Sequence, residues 1–213
     1  MSNETKSNPY IGDILIIIAG LFWGSMGIFV RHLGSLGFTS IQIASLRLSC
    51  AAIIYVLILL IKDRRGFKIA LKDIPLFLGL GLLSILFFTF CYFTAIRIMT
   101  MSAAAILLYT SPIWVMLMSC MFFKEKLTVN KIIALVMAFG GCVLVSGLGT
   151  GKVTIAGVLF GLGSGIGYGL YSILGTVALR KYSTYTITTY TFIVAGIGSF
   201  FVADAPDMFR KLA

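Results

Sequence analysis

Charged residues are scarce in this chain of 213 residues, where they make up 11% of the sequence against 59% for hydrophobic residues. An average soluble domain is roughly 25% charged, so the composition excludes an ordinary soluble protein. Acids are the rarest group, with 7 Asp and Glu against 17 Lys and Arg, and there is a single His. No paired carboxylates, no nucleophile beside a base and no metal-binding cluster can be assembled from the sequence, so an enzyme is a poor interpretation.

Disulfide, metal and cofactor motifs are missing as well. The four cysteines fall inside apolar runs without any C-x-x-C pair, which argues against a disulfide framework or a zinc site and predicts reduced packing residues. Gly147 and Gly149 lack the third glycine of a dinucleotide-binding loop, and no strand precedes them. The sequence therefore implies no cofactor. The cysteines are Cys50, Cys91, Cys120 and Cys142.

Long apolar runs take up nearly all of the chain, and its mean hydropathy is +1.05. A helix that crosses a bilayer needs about 20 mostly apolar residues, at roughly 1.5 Å of rise each. The runs reach this length and lack the alternation of strands, so we predict an all-α integral membrane protein with about seven transmembrane helices. The predicted spans are Ile11–Val30, Ser40–Ile61, Pro75–Ile96, Ser102–Phe123, Ile132–Leu148, Ile155–Leu179 and Ile187–Ala203.

Basic residues are distributed unevenly over the connections between these spans. If the N-terminus is cytoplasmic, eleven Lys and Arg lie on the inner side and five on the outer side. This bias is typical of cytoplasmic loops and predicts a multi-pass protein of the cytoplasmic (inner) cell membrane with its N-terminus inside. Topology and attraction to anionic lipid account for the net charge of +10 without any nucleic acid.

An internal repeat relates the sixth predicted helix to the first. An offset of 145 residues aligns Gly20 with Gly165 and Trp23 with Tyr168, and it also pairs Gly12, Gly24 and Ile28 with Gly157, Gly169 and Ile173. The two copies lie five helices apart, so the second enters the membrane from the opposite side. The pattern predicts an inverted-topology duplication, which is common among transporters.

Several longer segments resemble one family of membrane proteins. They are Gly12–Leu15, Phe22–Ser25, Arg47, Cys91–Ile96, Ser102–Leu117, Phe122–Thr128 and Ala138–Cys142. Together they resemble the EamA-type transporters of the drug/metabolite transporter superfamily. The resemblance implies ten helices in two inverted five-helix repeats, which move small metabolites or drugs across the cytoplasmic membrane, with efflux by alternating access as the expected activity.

The resemblance also predicts how the chain is divided. We expect a cytoplasmic segment over residues 1–10, a first repeat over 11–148, two helices of the second repeat over 153–203 and a polar tail over 204–213. Three more helices would be expected after Ala203. Two alternatives to a self-sufficient transporter stay open: a truncated, non-transporting protein, or a subunit completed by a second chain or by another copy in a homo-dimer.

Arg47 is the one charged residue deep within a predicted span, roughly 12 Å from its outer end. A charge near a helix centre costs about 2.5–3.5 kcal/mol on insertion scales, so Arg47 should face the bundle. Ser40, Ala44 and Ala51 share its face. Arg47 is predicted either to attract a carboxylate of the substrate or to bind backbone carbonyls of a neighbouring helix.

The fourth predicted helix carries a second candidate. A stripe of small and polar residues includes Ser102, Tyr109 and Pro112, and it predicts a protein-facing side opposite a lipid-facing side with Leu107 and Trp114. Pro112 should kink this helix and free a carbonyl about one turn earlier. Such breaks often border substrate sites, although a packed kink without a ligand is the alternative.

Aromatic residues with a polar tip lie within the spans rather than only at the membrane interface, where an aromatic belt would place them. A cluster of such rings could line a cavity for amphipathic solutes, although each one could equally be core. Asp13, Glu125 and Asp204 adjoin spans, none at the midplane, and Glu125 should pair with the neighbouring Lys124 or Lys126. The predicted substrate-binding residues are Trp23, Arg47, Tyr92, Tyr109, Pro112, Tyr168 and Tyr171.

Overall fold

The computed structural model describes residues 9–62, 64–146 and 154–212, and the regular structure in these ranges is entirely helical. Six of the described segments are long and apolar enough to cross a membrane, which confirms the predicted all-α membrane fold. These segments are Gly12–Ser35, Ser40–Lys62, Leu71–Ile98, Met101–Phe123, Ile155–Leu179 and Thr184–Val202.

The remaining predicted span, Ile132–Leu148, falls on helix α7 (Val129–Ser146). Only Val129–Gly141 counts as an apolar helix there, and it is too short to join the six spans. Gly147 and Leu148 lie outside the described residues. The described part of the chain thus has six long spans where the sequence predicted seven.

Helix beginnings follow from hydroxyl side chains that accept hydrogen bonds from the first free backbone N–H groups. Thr39 caps helix α2 (Ser40–Lys62) by accepting from Gln42 N, while the Gln42 side chain accepts from Thr39 N at 2.9 Å. Thr154 caps helix α8 (Ile155–Leu179), and Ser183 caps helix α9 (Thr184–Val202). Sequence and structure therefore agree on where α2 and α8 begin.

The segment Leu71–Ile98 is continuous but not uniform. It begins with a 3₁₀ turn, Leu71–Asp73, followed by α3 (Ile74–Leu78), a π-helical stretch (Gly79–Leu86) and α4 (Phe87–Ile98). Gly81 in the π-helical stretch meets α9 closely, because a Cβ there would lie 2.6 Å from Val194 Cβ. The wide turn and the missing side chain let the two helices touch.

The segment Met101–Phe123 is broken, as the sequence predicted from Pro112. It consists of α5 (Met101–Leu108) and α6 (Ser111–Phe123). At the break, Thr110 Oγ1 donates to Leu107 O at 2.6 Å and accepts from Trp114 Nε1 at 3.2 Å. Leu107 O also accepts from Thr110 N at 3.2 Å, so the main chain and the side chain of Thr110 both bond to the last turn of α5.

Helix α8 packs against α4, α5 and α6 through its glycines. A Cβ at Gly161 would lie 2.7 Å from Leu107 Cβ, and one at Gly169 would lie 3.1 Å from Trp114 Cβ. The predicted faces of the fourth span were therefore wrong, because Leu107 and Trp114 lie against α8 and not against lipid. Bulky side chains fill the space that the α8 glycines leave open, which a single helix pattern does not show.

Two further contacts differ from the predictions. Glu125 pairs with Lys131 at 2.8 Å and not with its chain neighbours, because Lys124 adopts a left-handed turn (φ 54°) that redirects the chain. Cys50 is exposed, whereas Cys91 is buried as expected for a packing residue.

The last described element is the short helix α10 (Ala205–Leu212). Met208 is 1% exposed and packs in the same core as Phe38 of the connection between α1 (Pro9–Ser35) and α2. Lys211 donates to Gly37 O at 2.9 Å, and Asp207 accepts from the Gln42 side chain at 2.9 Å. The segment predicted as a polar tail is therefore an amphipathic helix that covers one end of the bundle.

Candidate functional site

Five aromatic rings from three helices contact one another inside the bundle. Trp23 of α1, Phe88 and Tyr92 of α4 lie nearly parallel, with successive ring centroids 6.3 and 5.9 Å apart. Tyr168 of α8 meets Trp23 and Phe88 edge-on, at 6.2 and 5.5 Å. Tyr171 follows Tyr168 at 6.5 Å. Stacked and edge-to-face arrangements are those that aromatic rings prefer, and we call these five rings the aromatic cluster.

The cluster brings together four of the seven predicted site residues. Trp23 and Tyr168, which the 145-residue offset makes equivalent, are in direct edge-to-face contact. The approach of α8 to α4 depends on Gly167, because a Cβ there would lie 3.1 Å from Phe88 Cα. Glycine at this position lets α4 and α8 approach closely enough for their rings to meet.

Phe88 is the central member of the cluster that the sequence did not indicate. It is 1% exposed and contacts three other rings. The chain contains 17 phenylalanines, and nothing in the local sequence distinguishes this one from its neighbours. Only the packing of α4 against α8 selects it.

Arg47 lines the first of two cavities beside the aromatic cluster. This Arg47 cavity has a volume of about 480 Å³ and lies between α1, α2 and α4, with Trp23, Met26, Leu46 and Phe93 among its lining residues. The Arg47 guanidinium carbon lies 5.8 Å from the Phe93 ring centroid. One terminal nitrogen is buried and has no hydrogen-bond partner among the described residues.

Pro112 lines the second cavity. This Pro112 cavity has a volume of about 550 Å³ and lies between α6, α7 and α8, with Ser119, Tyr168 and Ser172 among its lining residues. Trp23 lines the first cavity and Tyr168 the second, so their contact lies between the two. Tyr109, the remaining predicted site residue, is 49% exposed and belongs to neither the cluster nor a cavity.

Asp73 is a second feature that the sequence did not indicate. Its carboxylate is buried and accepts hydrogen bonds from Lys181 Nζ at 2.8 Å and from Tyr182 OH at 2.7 Å. Tyr182 OH also accepts from Ala70 N at 3.1 Å. The hydrogen bond that Lys181 donates to Asp73 raises the pKa of Lys181, because it favours the charged ammonium. The hydrogen bonds of Asp73 join the start of α3 to the connection between α8 and α9.

Comparison with known proteins points to one family. The profile of the EamA-like transporter family matches residues 10–147. A transporter of Archaeoglobus fulgidus, named only as an uncharacterized transporter, is 26% identical over 201 residues, which cover 93% of this chain and 69% of the relative. A second A. fulgidus protein with the same name is 29% identical over 188 residues, or 88% of this chain and 63% of its own length.

A further relative, the uncharacterized transporter YxxF of Bacillus subtilis, is 24% identical over 203 residues. The match covers 93% of this chain and 62% of the relative. No solved structure matches the chain.

Six apolar spans and relatives that are named transporters define the class, which is a multi-pass membrane protein of the transporter type. The chain belongs to the EamA-like transporter family, within the drug/metabolite transporter superfamily. A small-molecule substrate and a surrounding lipid bilayer follow from this membership.

Proposed function

We propose that this protein carries small amphipathic molecules across the cytoplasmic membrane by alternating access, and that it works as an exporter. The observation that carries the proposal is the Trp23–Tyr168 contact between two cavities. The two rings come from helices that the internal offset relates to one another, and each lines a different cavity. Export is the direction that the family resemblance implies.

The chemistry of the Arg47 cavity indicates what such a substrate would contain. Its walls are mostly apolar and aromatic, and its polar component includes a guanidinium with an unpartnered nitrogen. A buried donor without a partner costs about 1–3 kcal/mol, and a carboxylate would offset this cost through paired hydrogen bonds. A molecule with an apolar or aromatic body and one acidic group fits both features.

Alternating access would use the aromatic cluster as the moving barrier. Trp23 is 45% exposed and so has room to rotate, whereas Phe88 is fixed in the core. If Trp23 and Tyr168 moved apart, their rings would no longer block the path between the two cavities. Edge-to-face contacts are worth about 0.5–1.5 kcal/mol, so a bound ligand can provide enough energy to separate them.

Reconstitution of the purified chain in liposomes tests the activity. Labelled amino acids and aromatic cations are offered as substrates, and flux is compared with that of empty vesicles. Faster flux of an aromatic molecule with an acidic group supports the proposal. No flux for any member of the panel would contradict it and would favour the alternative of a subunit that needs another chain.

Arg47→Ala is the first prediction for this assay. We expect loss of transport with unchanged abundance in the membrane, because the variant removes the guanidinium that Arg47 contributes to the Arg47 cavity. Arg180→Ala is the matched control, since Arg180 also lies over a phenylalanine ring, at 5.5 Å from Phe123, but lines neither cavity. If abundance and transport of Arg47→Ala fall together, the arginine is structural and does not bind substrate.

The proposed orientation places the N-terminus in the cytoplasm and the connection between α1 and α2 outside. The bias of basic residues supports it. Single cysteines introduced at exposed Lys68 and at exposed Leu36 should react with an impermeant thiol reagent in opposite ways, with only the residue at position 36 labelled in intact cells. Labelling of position 68 alone would show that the protein has the opposite orientation.

A further inference from the structure

Two arginines come together in a third, smaller cavity. It has a volume of about 290 Å³ and is lined by Arg31 and Gly34 of α1 and by Ile96, Arg97 and Met99 at the end of α4. It lies at the end of the bundle where α1 and α4 finish, which we call the arginine end. Its lining shares no residue with either of the cavities beside the aromatic cluster.

The helix positions explain why two like charges meet there. Arg31 and Gly34 lie three residues apart and therefore on the same face of α1. A Cβ at Gly34 would lie 3.8 Å from Arg97 Nε, so the Arg97 side chain runs alongside α1. Both arginines are exposed, and neither forms a salt bridge with any described residue.

The carboxylates described at the arginine end do not neutralise the pair. They are Asp204 and Asp207, both beside or within α10, and neither lines the cavity. Asp207 is paired with Lys211 and hydrogen-bonded to Gln42. Asp204 accepts a hydrogen bond from Asp207 N at 3.4 Å. The arginine pair therefore leaves an uncompensated positive charge around a concave site.

We propose that Arg31 and Arg97 form a binding site for an oxyanion, either a carboxylate or a phosphate group. A guanidinium presents several N–H donors in a planar fork that matches both groups, and two guanidinium groups can hold one anion from two sides. The anion reduces the repulsion between the two cations, which favours its binding.

The acidic group can belong to a dissolved solute or to a lipid headgroup, since both present the same oxygens. Identification of this solute with the transported molecule rests on the proposed function. The binding site itself does not, because anion binding is measured without transport. A chain that fails to transport would leave the test of this site intact.

The test uses the full chain purified in a neutral detergent and titrated calorimetrically with inorganic phosphate and with benzoate. We expect at least one of them to bind, with an affinity that falls as salt concentration rises. Arg31→Gln and Arg97→Gln should each weaken binding about tenfold or more, because each removes charge-assisted hydrogen bonds. Arg210→Gln is the matched control: it removes an exposed arginine at the same end that does not line the cavity.

Nanodiscs distinguish the two sources of the anion. If phosphatidylglycerol in a phosphatidylcholine disc prevents benzoate or phosphate binding, and the double variant Arg31→Gln/Arg97→Gln no longer retains this lipid, the site holds headgroups. If the lipid has no effect on the titration, the site takes a dissolved solute. The double variant should keep the thermal stability of the parent chain, since both side chains are exposed. Unchanged anion and lipid binding by a folded double variant would overturn the proposal.

Discussion

Helices α1 and α8 share a pattern of glycines and an aromatic residue but lie in very different surroundings. A Cβ at Gly20 or Gly24 of α1 would meet no atom within 4 Å. At the paired positions in α8, a Cβ at Gly165 would lie 2.6 Å from Thr110 Oγ1, and one at Gly169 would lie 3.1 Å from Trp114 Cβ. The same sequence feature is therefore a packing contact in one helix and an open surface in the other.

The difference comes from where each helix lies in the bundle. Helix α8 is placed between α4 and α6, whereas α1 contacts mainly α2 and α4 and leaves one side uncovered. Apolar residues on that side, such as Ile16 and Leu21, are each 71% exposed. Glycine spacing thus indicates that a helix can be approached closely, while the topology decides whether another helix is there.

The largest expected effect is at Gly165. Gly165→Ala should destabilise the protein by about 1–3 kcal/mol, the usual cost of overpacking. Thr110 cannot move aside easily, because its hydroxyl donates to Leu107 O and accepts from Trp114 Nε1. Unfolding in mixed micelles with increasing sodium dodecyl sulfate measures the change.

Gly20→Ala in α1 is the matched control for this substitution. It should leave stability unchanged or raise it by up to about 1 kcal/mol, because alanine favours the helix and meets no neighbour there. Equal losses for the two alanine variants would show that the packing difference between α1 and α8 is not real.

Trp23 and Tyr168, the aromatic residues that the offset pairs, should also differ in what they contribute to stability. The residue in α8 should contribute more. Tyr168→Ala should cost about 2 kcal/mol, at the low end for large-to-small changes, since the ring contacts Trp23, Phe88 and Tyr171. Trp23→Ala should cost less, because that side chain is 45% exposed and buries less of its surface on folding. The same micelle titration ranks the two variants, and a larger loss for Trp23→Ala would reverse the comparison.

The contact between α10 and the start of α2 should depend on pH. Hydrogen bonds from Lys211 and then Gln42 lower the pKa of Asp207, and the bond from Gln42 holds α10 against the first turn of α2. A carboxylate with a lowered pKa stabilises the fold above its unfolded pKa of about 3.9, and this contribution is lost as the pH falls below that value.

Hydrogen exchange of α10 amides at decreasing pH measures this effect, after correction for the intrinsic rate. We expect protection to fall below about pH 4 in the parent chain. In Asp207→Asn, the α10 amides should already be less protected at neutral pH, and their protection should not fall further below about pH 4. Protection that falls identically in both proteins would assign the step to another group.

Features that depend on local chemistry could be predicted from the sequence. The apolar lengths predicted the membrane fold and the first residues of α2 and α8, where the structure shows Thr39 and Thr154 as caps, and Pro112 predicted the break between α5 and α6. Arg47 was expected to face the bundle, and it lines a cavity there. Each of these follows from properties of one segment, namely burial cost, capping or a missing backbone donor.

Features that depend on contacts between residues distant in the chain could not be predicted from the sequence. Asp73 and Lys181 are 108 residues apart, and nothing in either segment indicates the other. Leu107 and Trp114 were assigned to lipid because bulky residues are usual there, although the α8 glycines provide the space that they fill.

By itself the sequence determined that this chain is a membrane protein, where six of its long apolar helices lie and that two of its helices carry the same pattern. Hydrophobic length and helix capping act within one segment, so they can be recognised without any partner. Only the tertiary structure decided that Trp23 meets Tyr168, that Phe88 completes the cluster and that Arg31 and Arg97 share a cavity. These juxtapositions depend on which helices pack together, and in a chain this rich in apolar residues many packings satisfy the same pattern.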